Sequence, residues 1–400
     1  MEQYDNTSKV NTNLNSSIVH TELDKNVLKH YKSAAGLTPL QVSSFLNGTT
    51  TSPIRYIRLN PRSITTSSPL HHFETSEPVP WLPPSTLFYK VQNRTINNLE
   101  PYTDGTIYGM DCGSGAAVAA LRLDLCTEPI RVLDLCCCPC AKLCMIVDSL
   151  EHVTSSSSQR SLVVGVDINL QRLNVGKKIV RKYLKGSKAD VRLYNSDGTT
   201  FPLSNATTST QLVYDTRSEE QETNLGKRKK MNKSALSRER KRLQSLSSSS
   251  PPTSIGPYDY VIVDAECSTD GALKQAKCKI KQGRNDATQS IKEKLMEEEE
   301  LMELQFGLIK NGFDNLKEGG YMVYSTCSLS ENQNEGVVRT FLSSHPTAAV
   351  VDVDFGLECN PPSVPGTIKG TMRFVPTLNN EEDISTSGFF LCKITKRKKR

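Results

Sequence analysis

Acidic and sulfur-bearing residues recur in this chain at one kind of place, directly after short apolar runs. Asp134 and the string Cys136-Cys137-Cys138-Pro139-Cys140-Ala141-Lys142 lie at the end of the run Pro129–Leu135, Asp167 follows Leu162–Val166, and Asp197 comes just past Val191–Tyr194. Asp264 and Cys267 follow Tyr258–Val263, and Cys327 follows Tyr321–Tyr324. Such runs read as buried strands, and in open α/β sheets ligands bind beyond the carboxyl ends of the strands. An acid after the second strand suits a ribose, because one carboxylate accepts hydrogen bonds from both hydroxyls. Asp167 has that place, with capping of the next helix as the alternative. Asp197-Gly198 has the matching place one strand later, where an adenine amino group is often held. No G-x-G-x-x-G follows the first strand, which argues against a nicotinamide cofactor. The cysteine run is ambiguous. Consecutive side chains at a strand end alternate in direction and match poorly the paired C-x-x-C of a zinc site, so no metal is expected and packing as small hydrophobes is the plainer reading.

The elements that must position these residues alternate. Helical patterns at Ala141–Leu150 and Leu170–Leu184 separate the first three runs, and Leu301, Leu304, Leu308, Ile309 and Leu316 share one face of a later helix that Glu318-Gly319-Gly320 is expected to stop. The acidic run Glu297–Glu300 fits a solvated helix start. Parallel neighbours need long crossover connections, so the pattern predicts an α/β fold with a mostly parallel sheet. Before it, Ile54–Asn60 alternates apolar and basic residues and predicts a half-buried strand with a basic outer face, Pro39–Leu46 predicts a short helix, and Pro78–Pro84 reads as a linker or surface loop. The expected organisation is a disordered arm at 1–27, an N-terminal α/β region at 28–106, a larger α/β domain at 107–395 carrying a disordered basic insertion at 205–257, and a basic tail at 396–400.

The string Val132-Leu133-Asp134-Leu135-Cys136-Cys137-Cys138-Pro139-Cys140-Ala141-Lys142 resembles the cofactor-binding motif of the nucleolar-protein/Sun (NSUN, RsmB/NOP) family of RNA cytosine-5 methyltransferases. Tyr324-Ser325-Thr326-Cys327-Ser328-Leu329, with Glu331-Asn332 and Asn334-Glu335 downstream, resembles its nucleophile motif, and Asp264-Ala265-Glu266-Cys267-Ser268 its second cysteine motif. Gly388-Phe389-Phe390 is similar to its closing strand, and Arg58-Leu59-Asn60 and Ser114-Gly115-Ala116-Ala117 extend the likeness over most of the chain from about residue 50. The resemblance implies a Rossmann-like fold, S-adenosylmethionine as cofactor, and cytosine in tRNA or rRNA as substrate. It places the cofactor on Cys136, Cys137, Cys138, Pro139, Cys140, Ala141 and Lys142 with Asp167, Arg172, Asp197 and Asp264.

Carbon 5 of cytosine is too poor a nucleophile to take a methyl group directly, so a thiolate must first add to carbon 6. The resemblance gives that attack to Cys327, stabilisation at N3 to Asp264, and release of the product to Cys267. For each cysteine a buried packing thiol is the alternative. Two departures stand out. The family usually has glycine where Cys140 stands, so a side chain there is expected to crowd the cofactor, and it usually has proline where Glu266 brings a charge near the base pocket. These leave a catalytically impaired RNA-binding relative as one alternative, and a small-molecule or protein methyltransferase as another.

At 400 residues the chain has room for one large domain plus an accessory one, and 36% hydrophobic residues is lean for a fully packed chain. The formal charge of +6 is concentrated in Gly226–Leu243 and Lys393–Arg400, which suit RNA or nuclear import, so the nucleus or nucleolus is expected, with the cytoplasm as alternative. Twelve irregularly spaced cysteines and the absence of an apolar signal segment point to a reducing compartment and a soluble chain, with no membrane partner.

Overall fold

The computed structural model describes residues 29–30, 32–33, 55–63, 68–91, 95–153, 159–202, 210–220, 256–272, 297–376, 378–379, 383–384 and 387–398. The arm at 1–27, the helix at Pro39–Leu46 and the basic stretch at Gly226–Leu243 lie outside these residues.

Strands β1 (Arg55–Leu59), β2 (Ser76–Pro78), β3 (Phe88–Val91) and β4 (Ile107–Gly109) form an antiparallel sheet in the order β2-β3-β1-β4. The N-terminal unit therefore runs through Gly109 rather than stopping at 106. The basic outer face expected of β1 is absent at Arg58, which is 1% exposed and forms an ion pair with Asp148, whose carboxylate also takes Arg62 and the Tyr108 hydroxyl. A guanidinium can be buried this way because its donors are satisfied by Asp148 and the Thr86 carbonyl. Pro78–Pro84 is a loop with Pro78, Pro80 and Pro84 exposed, but it is anchored in the core. Val79, Trp81 and Leu82 are buried, and the Trp81 ring lies 5.5 Å from that of Phe374.

Strands β5 (Arg131–Asp134), β6 (Leu162–Asp167), β7 (Asp190–Asn195), β8 (Gln211–Asp215), β9 (Tyr258–Asp264), β10 (Leu316–Thr326), β11 (Ala348–Val351), β12 (Val364–Pro365), β13 (Met372–Phe374) and β14 (Phe389–Lys396) make one mixed sheet. Its order is β12-β13-β14-β10-β9-β5-β6-β7-β8, with β11 also paired to β14. The block β10-β9-β5-β6-β7 is parallel, while β8 at one edge and β14, β13 and β12 at the other run antiparallel. Helices α1 (Cys112–Ala119), α2 (Ala141–Ser149) and α3 (Leu170–Tyr183) bury one face, and α4 (Glu298–Asn315) and α5 (Val337–Ser344) the other. Coverage on both faces explains the unbroken apolar runs of the parallel strands. Among the described residues no helix is long and apolar enough to cross a membrane.

Three expected features are placed differently. Within 205–257, Gln211–Asp215 forms β8 on the edge of the sheet, and Asp215 pairs with Arg192 across the ladder at 3.1 Å. The β-prone Leu212-Val213-Tyr214 outweighs its polar flanks there. Helix α4 ends at Asn315, before the glycine pair, because Leu316 is already extended; Gly319, at φ 78°, instead serves the irregularity between Leu316 and Tyr321. Lys396 is the last residue of β14 rather than free tail, and its Nζ donates to the Phe313 and Leu316 carbonyls at 2.8 Å each, closing the C-terminus of α4.

Candidate active site

The turn after β5 runs into α2 through Cys140, whose φ of 75° is left-handed and disfavoured for any residue with a Cβ. The Cys140 side chain turns into the core, toward α3. Cys140 is fully buried, and its sulfur fits where a Cβ on Gly176 of α3 would lie only 2.5 Å away. The alternation expected of the cysteines fails, because the strand ends at Asp134 and the next residues form a turn. The sulfurs of Cys137, Cys138 and Cys140 all lie within 4.8 Å of one another. Hydrogen bonds from the Cys137 and Cys140 thiols, working against burial, bring the Cys138 thiol down to about 4. Cys136 stays partly exposed, its amide donating to Asp134, while Pro139 is exposed.

Asp167 binds this turn directly. Its carboxylate accepts from the Cys138 amide at 3.3 Å and the Asn169 amide at 2.9 Å, while Asn169, not Asp167, caps α3. Burial raises its pKa above the usual carboxylate range. Arg172 braces the same turn, donating to the Cys138 carbonyl at 2.7 Å. Asp197 is exposed and fixed in its own turn by the Thr199 amide and hydroxyl, and Gly198 packs so closely that a Cβ would sit 2.9 Å from the Leu135 carbonyl. These residues thus converge on the carboxyl end of β5, where a lone strand-end acid would have been ambiguous.

Lys142 leaves the loop and reaches Asp264 at 2.6 Å, and Ser325 donates to the other oxygen of that carboxylate at 2.7 Å. Burial lowers the Lys142 pKa, but Asp264 and Asp134 outweigh it and hold the ammonium charged. Beside them, at the ends of the adjacent parallel strands β9 and β10, the Cys267 and Cys327 sulfurs are 3.3 Å apart. Cys267 is buried and Cys327 partly exposed. The Cys267 thiol and burial push the Cys327 thiol well above its ordinary range. Glu266, the other departure, is exposed.

What holds the two cysteines together is a buried polar network. Gln333 accepts from the Ser268 amide and donates to the Ser268 hydroxyl, Asn334 accepts from Thr326 at 2.6 Å, and the Tyr324 hydroxyl donates to the Gln333 carbonyl. Arg373 secures the same turn through Glu335 and the Leu329 carbonyl. Gly271 lets backbones cross here, since a Cβ would fall 2.7 Å from both the Cys327 and Gly388 carbonyls. Reading the sequence missed Asp270, His30 and Arg373. Buried Asp270 takes His30 at 2.6 Å, the Ser268 hydroxyl and the Leu329 amide. Only Asp270 carried a signal, an acid three residues past Cys267; His30 and Arg373 join from distant sequence.

The donor set fits S-adenosylmethionine. Asp134, Asp167 and Asp264 line successive strand ends and offer carboxyl oxygens to the hydroxyls and ammonium of such a ligand, and Asp134, whose pKa burial raises well above the usual carboxylate range, retains a buried oxygen with no hydrogen-bond partner.

Residues 211–395 match the 16S rRNA methyltransferase RsmB/F family. Ribosomal RNA small subunit methyltransferase F of Aeromonas salmonicida is 30% identical over 139 residues, covering 35% of this chain and 26% of that protein. The 25S rRNA (cytosine-C(5))-methyltransferase of Schizosaccharomyces pombe is 29% identical over 158 residues, covering 36% and 23%. The matched stretch thus spans about a quarter of the length of these relatives. The crystal structure of NSun6 from Pyrococcus horikoshii superposes with a TM-score of 0.57 at 15% identity, covering 94% of this chain and 99% of that one, a likeness of fold.

Proposed function

Because this chain belongs to the RsmB/F (nucleolar-protein/Sun) family of S-adenosylmethionine-dependent RNA cytosine-5 methyltransferases, we propose that it methylates carbon 5 of a cytosine in ribosomal RNA through a covalent bond to Cys327. The observation that carries this reading is the 3.3 Å contact between Cys327 and Cys267 beside Asp264. Ribosomal RNA is favoured because the named relatives act on it.

S-adenosylmethionine supplies the electrophilic methyl group when bound. Cys327 adds its sulfur to carbon 6, and its thiol proton passes to the Asp264 carboxylate as the carbon–sulfur bond forms, since the site does not favour a free thiolate beforehand. Electron density moves toward N3, where Asp264, held by Ser325 and Lys142 and now carrying that proton, donates it as a hydrogen bond in a partly desolvated setting. After methyl transfer Cys267 assists removal of the carbon 5 proton, and the electrons of that C–H bond expel Cys327. The target base must stand clear of stacked neighbours to enter such a site.

Denaturing gels with labelled ribosomal RNA, paired with bisulfite sequencing, test the scheme. Cys327→Ala is expected to give neither methylation nor adduct, and Cys267→Ala to accumulate a slow covalent band. An adduct in Cys327→Ala and none in Cys267→Ala would exchange the two roles; full methylation by both would end the covalent reading.

A further inference from the structure

The turn between β5 and α2, which the resemblance assigns to the cofactor, brings together three thiols whose sulfurs take no part in the methyl-transfer steps above. Cys137, Cys138 and Cys140 are all buried, their sulfurs lie within 4.8 Å of one another, and the Cys137 and Cys140 sulfurs are 4.0 Å apart. An ion held by three thiolates at about 2.3 Å separates the sulfurs by about 4.0 Å in a plane and about 3.8 Å at tetrahedral angles. The observed spacing needs only sub-ångström closure.

Neighbouring elements make room for this cluster by lacking side chains. A Cβ on Gly165 of β6 would fall 2.9 Å from the Cys137 sulfur, and one on Gly176 of α3 would fall 2.5 Å from Cys140 and 3.5 Å from Cys138. Two glycines on two different elements therefore wall the same sulfur-filled space. The group comprises three sulfurs and no histidine, with the Asp167 carboxylate hydrogen-bonded to Cys138 at its edge, and a donor set dominated by sulfur selects a soft cation.

We propose that Cys137, Cys138 and Cys140 form a trigonal thiolate site for a soft thiophilic cation, with copper(I) the best match to three sulfurs. Zinc, which takes four ligands, would require an outside donor. Each thiol that binds releases its proton to solvent, and no electron is transferred. Because the Cys138 amide and carbonyl are tied to Asp167 and Arg172, an ion in this site would also stiffen the turn over the end of β5. The site does not depend on the methyltransferase reading.

Anaerobic titration of the reduced full-length chain with copper(I), against a chromophoric chelator, is expected to show one tightly held equivalent with a near-ultraviolet thiolate-to-metal band. A parallel zinc titration is expected to bind more weakly. Cys138→Ala and Cys140→Gly should each weaken copper binding by about a hundredfold or more, whereas Cys359→Ser, at an exposed remote thiol, should not change it. X-ray absorption on the loaded wild-type chain, which needs no variant to fold, should give three sulfurs at about 2.3 Å. Absence of tight binding with all thiols reduced overturns the proposal. So does an equivalent that survives Cys138→Ala and disappears in Cys267→Ala, or a first shell with fewer than three sulfurs.

Discussion

Gly176→Ala is expected to destabilise this protein for a reason located at Cys140, thirty-six positions earlier in the chain. The new methyl would fall 2.5 Å from the Cys140 sulfur, inside any tolerated contact, and Cys140 cannot withdraw because it is fully buried. Overpacking of this kind costs about 1–3 kcal/mol, while alanine in place of glycine inside a helix returns about 1 kcal/mol. The net loss is about 1 kcal/mol. Cys140→Gly alone should be close to neutral, since it forfeits about 1–2 kcal/mol of buried side chain and relieves a left-handed backbone that costs about 1–2 kcal/mol. With both changes the clash is gone, and alanine at 176 should stabilise by about 1 kcal/mol. The coupling between the sites is therefore about 2 kcal/mol, with a reversal of sign. Urea denaturation of the four proteins at equal m-values measures it. Additivity within about 0.5 kcal/mol would show that Gly176 does not make the space for Cys140.

Arg58→Met should cost about 1.5–3 kcal/mol, since it removes one of two guanidinium groups from buried Asp148 while Arg62 and the Tyr108 hydroxyl stay in place, seen as a shift in the urea midpoint; a loss below about 1 kcal/mol, the scale of a surface pair, would mean that Arg62 alone satisfies this carboxylate. Alkylation of Cys327 by iodoacetamide should still be accelerating above pH 9, because the Cys267 thiol and burial hold its proton on, and Cys267→Ala should move the profile to lower pH; mass mapping of the modified thiol checks both. Burial raises the pKa of Asp270, but His30, Ser268 and Ser328 outweigh it and leave it lowered. A carboxylate with a depressed folded pKa stabilises fully above its unfolded value of about 3.9, and that contribution is lost as pH falls through the folded value. Acid unfolding of Asp270→Asn should therefore show a shallower pH dependence below about pH 4 than wild type.

The order of apolar runs and strand-end acids was enough to establish a parallel α/β sheet and to pick out Cys327, Cys267, Asp264, Asp167 and Asp197, because buried strands announce themselves by composition and ligands gather where strands end. The downstream Asn334 and Glu335 were legible as part of the motif around Cys327, although their task, holding Thr326 and Arg373, needed coordinates. Composition misled where a short strand sat inside a polar stretch, as at Gln211–Asp215, and where basic residues were buried or used as caps, as with Arg58 and Lys396. Such residues look solvated in sequence because their partners, Asp148 and the carbonyls ending α4, are supplied by distant parts of the chain. Tertiary structure alone decided the direction of the Cys140 side chain and the meeting of three sulfurs beneath it. Both depend on glycines at 165 and 176, and a missing side chain carries no sequence mark of what it makes room for.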